Sequence, residues 1–214
     1  MAQDDEQVEA LKRWWKNNWQ SLVTGLAIAL LLVAGWQYWQ NKQAADRAAA
    51  RQGFDTIINA LSNPDADERL STMEYTLDEL KDNYASSVYS VFAAMVAANI
   101  YMDEGDPEKA ADQLRWALEQ AGDEPLPRVI RLRLARAQYA AGDHEAALQT
   151  LEQISDAGRF QPLYRELEGD VHIAMGNDAA AREAYEQARD AMEEGVSDRL
   201  LELKLADLAT AEEG

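Results

Sequence analysis

The chain has 214 residues and no cysteine, and its formal net charge at pH 7 is −19. The length allows one domain or two small ones, and the lack of cysteine excludes disulfides and Cys-based metal or redox sites. The negative charge lies beyond residue 51, because residues 52–214 contain 34 of the 39 acidic residues and 14 of the 20 basic ones. Such a surface repels nucleic acid, so we expect no nucleic-acid partner.

An apolar stretch near the amino terminus predicts a membrane-spanning helix. No charged residue lies between Lys16 and Lys42, which leaves 25 uncharged residues, and about 20 apolar residues are enough to cross a hydrocarbon core. Aromatic side chains, which favour the membrane–water interface, bracket the stretch on both sides. They are Trp14, Trp15, Trp19, Trp36, Tyr38 and Trp39. We therefore expect a transmembrane helix over residues 18–40, preceded by a tail over residues 1–17.

Within this stretch, Ser21, Gly25 and Ala29 recur at every fourth position. Small residues at this spacing let a second helix approach closely, so they form a candidate helix-packing face. Charge alone does not decide the orientation, because three Lys or Arg residues flank each end. Long domains translocate largely regardless of charge, and we expect a cytoplasmic amino terminus with the acidic domain outside the cytoplasm. A cleaved signal peptide is the alternative, although its apolar region is usually only about 7–15 residues long.

Beyond the apolar stretch the chain is predicted to be all helical. Residues 41–62 are rich in alanine with an apolar face at helical spacing, which predicts a juxtamembrane helix. Further on, Gly142 and Gly176 lie 34 residues apart in similar surroundings, and Gly105 precedes Gly142 by 37 residues. A period of about 34 residues is typical of tetratricopeptide repeats, in which each unit is a helix–turn–helix.

The residues after these glycines support the same interpretation. Each glycine is predicted to end a first helix in a left-handed turn, and Asp106, Asp143 or Asn177 to cap the second helix. A degenerate unit is expected before the three clear ones, built from Phe54, Ile57, Leu61, Leu70, Leu77, Leu80 and Tyr84. The fold class is therefore an all-α chain, with a tetratricopeptide-repeat-like solenoid over residues 63–214.

A terminal helix follows Ser197 and Asp198, either of which can cap it. Its leucines at 200, 201, 203, 205 and 208 make it too apolar to stand alone. We expect it to cover the open end of the solenoid or to lie in its groove.

No pattern of catalytic chemistry is present in the sequence. His144 and His172 are the only histidines, and there is no Gly-rich phosphate loop, nucleophile elbow or HExxH motif. Pairs of carboxylates in so acidic a chain usually form solvated faces. We expect no enzymatic activity, no cofactor and no metal site.

A repeat solenoid offers a concave groove lined by the first helix of each unit, which suits an amphipathic peptide or a partner helix. Counting outward from each turn glycine gives ten candidate residues: Phe92, Met95, Asn99, Met102, Leu132, Arg136, Tyr139, Glu166, Asp170 and Ile173. Only Asn99 and Arg136 among them suit the clamping of a terminal carboxylate, so this mode is not expected. Alternatively, many of the apolar candidates pack against the leucines of the terminal helix.

Four segments of the chain are similar to the YfgM family, the ancillary subunits of the bacterial SecYEG translocon. These segments are DEQVEALKRWW (Asp5–Trp15), GWQYW (Gly35–Trp39), LRLARAQ (Leu132–Gln138) and LELKLADL (Leu201–Leu208). The resemblance implies an inner-membrane anchor and a periplasmic repeat domain. It also implies association with SecYEG and with the membrane-anchored periplasmic chaperone PpiD, and a role near secreted or outer-membrane proteins as they emerge.

The resemblance implies a scaffold or chaperone-type subunit that assists the export and early folding of nascent secreted clients. The alternative is an adaptor for outer-membrane or cell-wall assembly machinery.

Overall fold

A computed structural model of the chain describes residues 2–122, 125–154, 157–192 and 198–211. Across these ranges it contains α-helices and one short 3-10 helix over Gly158–Phe160, and no strand. The helices are α1 (Ala2–Ala60), α2 (Ala66–Tyr84), α3 (Val88–Asp103), α4 (Pro107–Gln120), α5 (Leu126–Ala140), α6 (His144–Glu152), α7 (Gln161–Ala174), α8 (Asp178–Asp190) and α9 (Arg199–Ala211). The predicted all-α fold is confirmed.

The chain divides into two units, residues 1–49 and residues 50–214. In the first unit, α1 exposes large apolar side chains along the predicted membrane segment, with Leu31 at 72% and Leu32 at 69% exposure. In the ranges that the structure describes, this is the one helix long and apolar enough to cross a membrane, and its most apolar window is not buried. Water disfavours so large an exposed apolar surface, so α1 is a candidate membrane span.

The second unit is a stack of antiparallel helix pairs. Consecutive helices pack on one another from α2 to α9, and α5 also contacts α7. The pairs α3/α4, α5/α6 and α7/α8 are the three predicted repeat units.

The degenerate first unit joins the final turns of α1 to α2. Ile57 and Leu80 are fully buried in the first core cluster, and a Cβ atom at Gly53 would lie 2.8 Å from Leu80 Cδ2. Leu61 was expected in this core but is 42% exposed. The reason is that α1 ends at Ala60 and the next residues form a turn.

The predicted left-handed turns are confirmed at the three repeat glycines, whose φ angles are +79° at Gly105, +79° at Gly142 and +75° at Gly176. The N–H that follows each glycine donates to a carbonyl five residues earlier; for Asp143 the acceptor is Gln138 O at 2.9 Å. These bonds satisfy carbonyls left free at the end of the first helix.

Two of the three predicted caps form. Asp106 accepts a hydrogen bond from the Lys109 N–H at 3.1 Å, and Asp143 accepts one from the Ala146 N–H at 3.2 Å. The cap predicted for Asn177 is wrong, because its side chain makes no capping hydrogen bond. Asp178 lies in the first turn of α8 instead, where its negative charge favours the positive end of the helix.

The terminal helix α9 covers the end of the solenoid, which is one of the two predicted arrangements. Leu201 and Leu208 are buried in a small cluster with Ala181, Tyr185 and Ala188 of α8. The Asp198 carboxylate accepts a hydrogen bond from the Leu200 N–H at 2.8 Å, whereas Ser197 lies outside the described residues. Not all of the leucines pack, since Leu200 is 57% and Leu203 53% exposed.

Candidate protein-binding groove

Four of the ten predicted groove residues line a single cavity. Met95, Asn99 and Met102 recur on one face of α3, and Arg136 approaches from α5. The cavity measures about 290 Å³, and its remaining lining residues are Ala98, Leu114 and Arg133. The repeat geometry therefore brings α3, the following α4 and the next first helix, α5, to one site.

The floor of this cavity is apolar and its rim is basic. Met95 is only 8% exposed and Leu114 only 2%, whereas Arg133 and Arg136 are exposed. Asn99 Nδ2 lies 3.5 Å from Asp103 Oδ2, at the limit of a hydrogen bond. Methionine is flexible and polarisable, so a floor built from it adapts to side chains of different shape.

The other candidates on the first two units are not part of this cavity. Leu132 is 5% exposed and packs in the second core cluster with Leu151 and Tyr164. Phe92 is 37% exposed, with its ring 6.3 Å from that of Phe54. Tyr139 is half-buried, with its ring 5.6 Å from that of His144.

Arg133 is a cavity residue that sequence reasoning missed. It follows the buried Leu132 directly, and neighbouring residues on a helix point about 100° apart. Counting from the turn glycine selected Leu132 and Arg136 as groove residues, but the packing of α5 turns Leu132 into the core and Arg133 towards α3. The alternation of leucine and arginine in LRLARAQ was the available signal.

The candidates on α7 form a second site with the terminal helix. Lys204 of α9 donates hydrogen bonds to Glu166 Oε1 at 2.7 Å and to Asp170 Oδ1 at 2.6 Å. The Tyr185 hydroxyl of α8 donates to the same Asp170 oxygen at 2.7 Å. Ile173, the remaining candidate, is 41% exposed. An ion-pair cluster therefore ties α9 to α7.

Two titrating groups of this cluster have displaced pKa values. Burial of Lys204 lowers its pKa, but the hydrogen bonds to Asp170 and Glu166 outweigh that effect and the net pKa is raised. The pKa of Tyr185 is also raised, first by burial and then by its hydrogen bond to Asp170. Both shifts favour the protonated groups that hold the cluster together.

These contacts decide how the terminal helix relates to the groove. Lys204 of α9 reaches the α7 portion, where it pairs with Glu166 and Asp170. The residues that line the α3–α5 cavity all come from α3, α4 and α5. The terminal helix thus contacts α7 and α8 at the end of the solenoid, and no described residue of α9 lines the α3–α5 cavity.

Within the described ranges, no three His, Asp or Glu side chains are placed to hold a metal ion. The groove residues described above offer apolar contact, charged groups and amide hydrogen bonds. Such a combination suits an amphipathic peptide or a partner helix.

The fold defines a tetratricopeptide-repeat-like solenoid with a candidate groove, and the described residues of the chain include one candidate membrane span. The family described as tetratricopeptide repeat-like domain matches residues 12–210. The chain belongs to this family.

Similar proteins match along nearly the whole chain. One from Haemophilus influenzae is 28% identical, covering 96% of this chain and 98% of the relative. One from Escherichia coli is 27% identical over 96% of this chain and 97% of the relative, and one from Neisseria gonorrhoeae is 26% identical over the same shares. Each is named "Ancillary SecYEG translocon subunit". The resemblance to the YfgM family is therefore confirmed.

Solved structures support the fold. A crystal structure of MamA protein has a TM-score of 0.60 at 16% identity, covering 77% of this chain and 83% of that one. Another MamA structure has a TM-score of 0.54 at 17% identity, covering 70% and 80%. Identities this low show a shared fold alone.

Proposed function

We propose that this protein is a non-catalytic subunit that is anchored in the bacterial inner membrane and associates with the Sec translocon. The observation that carries the proposal is a candidate membrane span and an interaction solenoid in one chain, which is similar over 96% of its length to proteins named ancillary SecYEG translocon subunits. It assists the export and early folding of secreted clients through protein–protein contacts. A membrane-anchored periplasmic chaperone such as PpiD is a second partner.

The proposed span follows the hydropathy pattern, and the proposed orientation follows the resemblance to the YfgM family. Residues 1–17 are a cytoplasmic tail, 18–40 the span, 41–62 a juxtamembrane helix and 63–214 a periplasmic domain. An acidic domain on the periplasmic side repels anionic headgroups and keeps its groove available to polypeptides.

The absence of cysteine allows a direct test of this topology. Val8 is 50% exposed in the amino-terminal tail and Asp190 is exposed at the end of α8, so each is replaced by cysteine in turn. A membrane-impermeant maleimide should label Asp190→Cys in spheroplasts, and Val8→Cys only after lysis. Labelling in the opposite order would contradict the proposed orientation.

Association with the translocon is tested by purifying the tagged full-length chain in mild detergent and measuring SecYEG by quantitative mass spectrometry. We propose that Ser21, Gly25 and Ala29 dock the span against a translocon helix, because small residues permit close packing. Gly25→Leu should reduce the recovery of SecYEG, and Ala27→Leu on the opposite helix face is the matched control. Recovery of outer-membrane or cell-wall assembly components without SecYEG would contradict the proposal and favour an envelope-assembly adaptor.

A further inference from the structure

The helix α5 has an unusual charge for this domain. Its sequence, LPRVIRLRLARAQYA, contains four arginines and no acidic residue, whereas residues 52–214 as a whole contain 34 acidic and 14 basic residues. Two of these arginines, Arg133 and Arg136, line the α3–α5 cavity. Positive charge is therefore concentrated at one site of an otherwise acidic solenoid.

Among the described residues, six other basic side chains of the domain form ion pairs with a carboxylate. Arg69 pairs with Glu104 at 2.8 Å and Arg165 with Glu168 at 2.7 Å. In the part of the chain that the structure describes, neither Arg133 nor Arg136 has such a partner. Two exposed guanidinium groups one helical turn apart can donate several hydrogen bonds to one carboxylate.

The cavity beside these arginines is apolar. Met95 and Leu114 are buried and Met102 is half-buried. A volume of about 290 Å³ accepts one or two apolar side chains, and the adjacent arginines then lie within reach of a carboxylate on the same segment. A lipid phosphate fits this site less well, since the surrounding acidic surface repels an anionic bilayer.

The same solenoid already holds one helix, α9, by combining apolar contacts with an ion pair. Leu201 and Leu208 of α9 bury their side chains against α8, while Lys204 places its charge between Glu166 and Asp170 of α7. Apolar anchors are thus combined with a charge of the opposite sign. At the α3–α5 cavity the groove charges are reversed, so the complementary segment carries a carboxylate instead of a lysine.

We propose that the α3–α5 cavity binds an acidic amphipathic segment of a partner protein. Arg133 and Arg136 donate hydrogen bonds to an Asp or Glu side chain of this segment, and an adjacent apolar side chain lies against Met95, Met102 and Leu114. This inference rests on the proposed function as an interaction subunit and names the chemical class of polypeptide that its groove selects.

The test uses the full-length chain in detergent micelles and three fluorescent helical peptides. They share one pattern of leucine and alanine and differ only in carrying Glu, Gln or Lys at the polar positions next to the leucines. Fluorescence anisotropy should show that the Glu peptide binds about tenfold or more tightly than the Gln peptide, because charge-assisted hydrogen bonds are stronger than neutral ones. The Lys peptide should bind most weakly.

The decisive variant is Arg133→Gln/Arg136→Gln. Both side chains are exposed, so the variant should fold, and its affinity for the Glu peptide should fall about tenfold or more. The matched control is Arg189→Gln/Arg199→Gln, which removes two exposed arginines from α8 and α9 and should leave that affinity unchanged. Thermal unfolding of both variants verifies that they remain folded.

Three results would overturn the inference. Equal binding of the Glu and Gln peptides would indicate an apolar occupant, and equal losses in the two double variants would indicate a general charge effect. Self-association of the chain that is lost in Arg133→Gln/Arg136→Gln would assign the cavity to a second copy. Recovery of SecYEG is also measured with the same variants. Because the proposed translocon contact lies in the membrane span, SecYEG can still be recovered when the Glu peptide does not bind selectively. The two outcomes therefore separate a failure of this inference from a failure of the proposed function.

Discussion

Gly169 and Tyr185 are packed so closely that no side chain fits between them: a Cβ atom at Gly169 would lie 2.3 Å from Tyr185 Cε1. The backbone of α7 therefore contacts the tyrosine ring of α8 directly. The same ring is oriented by a hydrogen bond from its hydroxyl to Asp170 at 2.7 Å, and Lys204 Nζ lies 5.4 Å from its centroid. One glycine thus permits the packing that links the last repeat to the capping helix.

Replacing Gly169 by alanine should destabilise the solenoid by about 1–3 kcal/mol, because the added methyl group displaces the Tyr185 ring. Urea unfolding of the full-length chain, followed by circular dichroism, measures this change. The control is Gly122→Ala, where a Cβ atom meets nothing within 4 Å and the expected change is within about 0.5 kcal/mol. If Tyr185→Leu does not relieve part of the Gly169→Ala effect, the two residues are not coupled as described.

The left-handed turn at Gly142, with φ at +79°, should tolerate asparagine better than alanine. Gly142→Ala should cost about 1–2 kcal/mol, because its Cβ atom crowds the following carbonyl in this conformation. Gly142→Asn should cost less, because asparagine enters the left-handed region more readily. Thermal unfolding midpoints rank the two variants. Equal stability of Gly142→Ala and the parent chain would contradict a left-handed conformation at this turn.

The second repeat contains a buried polar pair, in which Thr150 Oγ1 donates to Gln138 Oε1 at 2.8 Å. Both residues are nearly inaccessible, with 6% and 7% exposure. Thr150→Val should cost about 1–3 kcal/mol, because it leaves the Gln138 amide oxygen buried without its donor. The double variant Gln138→Leu/Thr150→Val should recover much of that loss, and denaturant unfolding of the four-member cycle measures the coupling. If the effects of the two single substitutions are additive, the stability loss in Thr150→Val does not arise from the lost hydrogen bond.

The Lys204 cluster should hold α9 on the solenoid. Lys204→Met should increase amide exchange across α9 and cost about 1–3 kcal/mol, because Glu166 and Asp170 lose their shared donor. Lys109→Met is the control, since its pair with Asp106 is more exposed and exposed pairs contribute at most about 1 kcal/mol. Equal exchange in the α9 of both variants would contradict a specific role for Lys204.

The raised pKa of Lys204 also predicts an alkaline loss of stability. A group whose pKa is higher in the folded state stabilises the fold fully below its unfolded pKa and loses this effect as pH rises through the folded pKa. For Lys204 that window begins near the ordinary value of 10.5 and extends above it. The stability difference between the parent chain and Lys204→Met should therefore shrink above this pH, and a constant difference would argue against ionic pairing.

The repeat units were predictable because their signals are local. Glycine in a left-handed turn and aspartate at the following cap depend on a few neighbouring residues, and both were found at Gly105 and Gly142. Leu132 and Arg133 illustrate the opposite case. Their hydrophobicity and charge predict different environments, but only the packing of α5 against its neighbours decides which of them faces the α3–α5 cavity.

The sequence by itself determined that the chain has one long uncharged apolar stretch, helical repeats with a period of about 34 residues, and no cysteine chemistry. Composition and periodicity are properties of the chain that need no knowledge of distant contacts. Only the tertiary structure decided that Lys204 joins Glu166 and Asp170, and that Arg133 and Arg136 share a cavity with Met95. Helical periodicity defines a face, but the neighbour that the face meets depends on how whole helices pack.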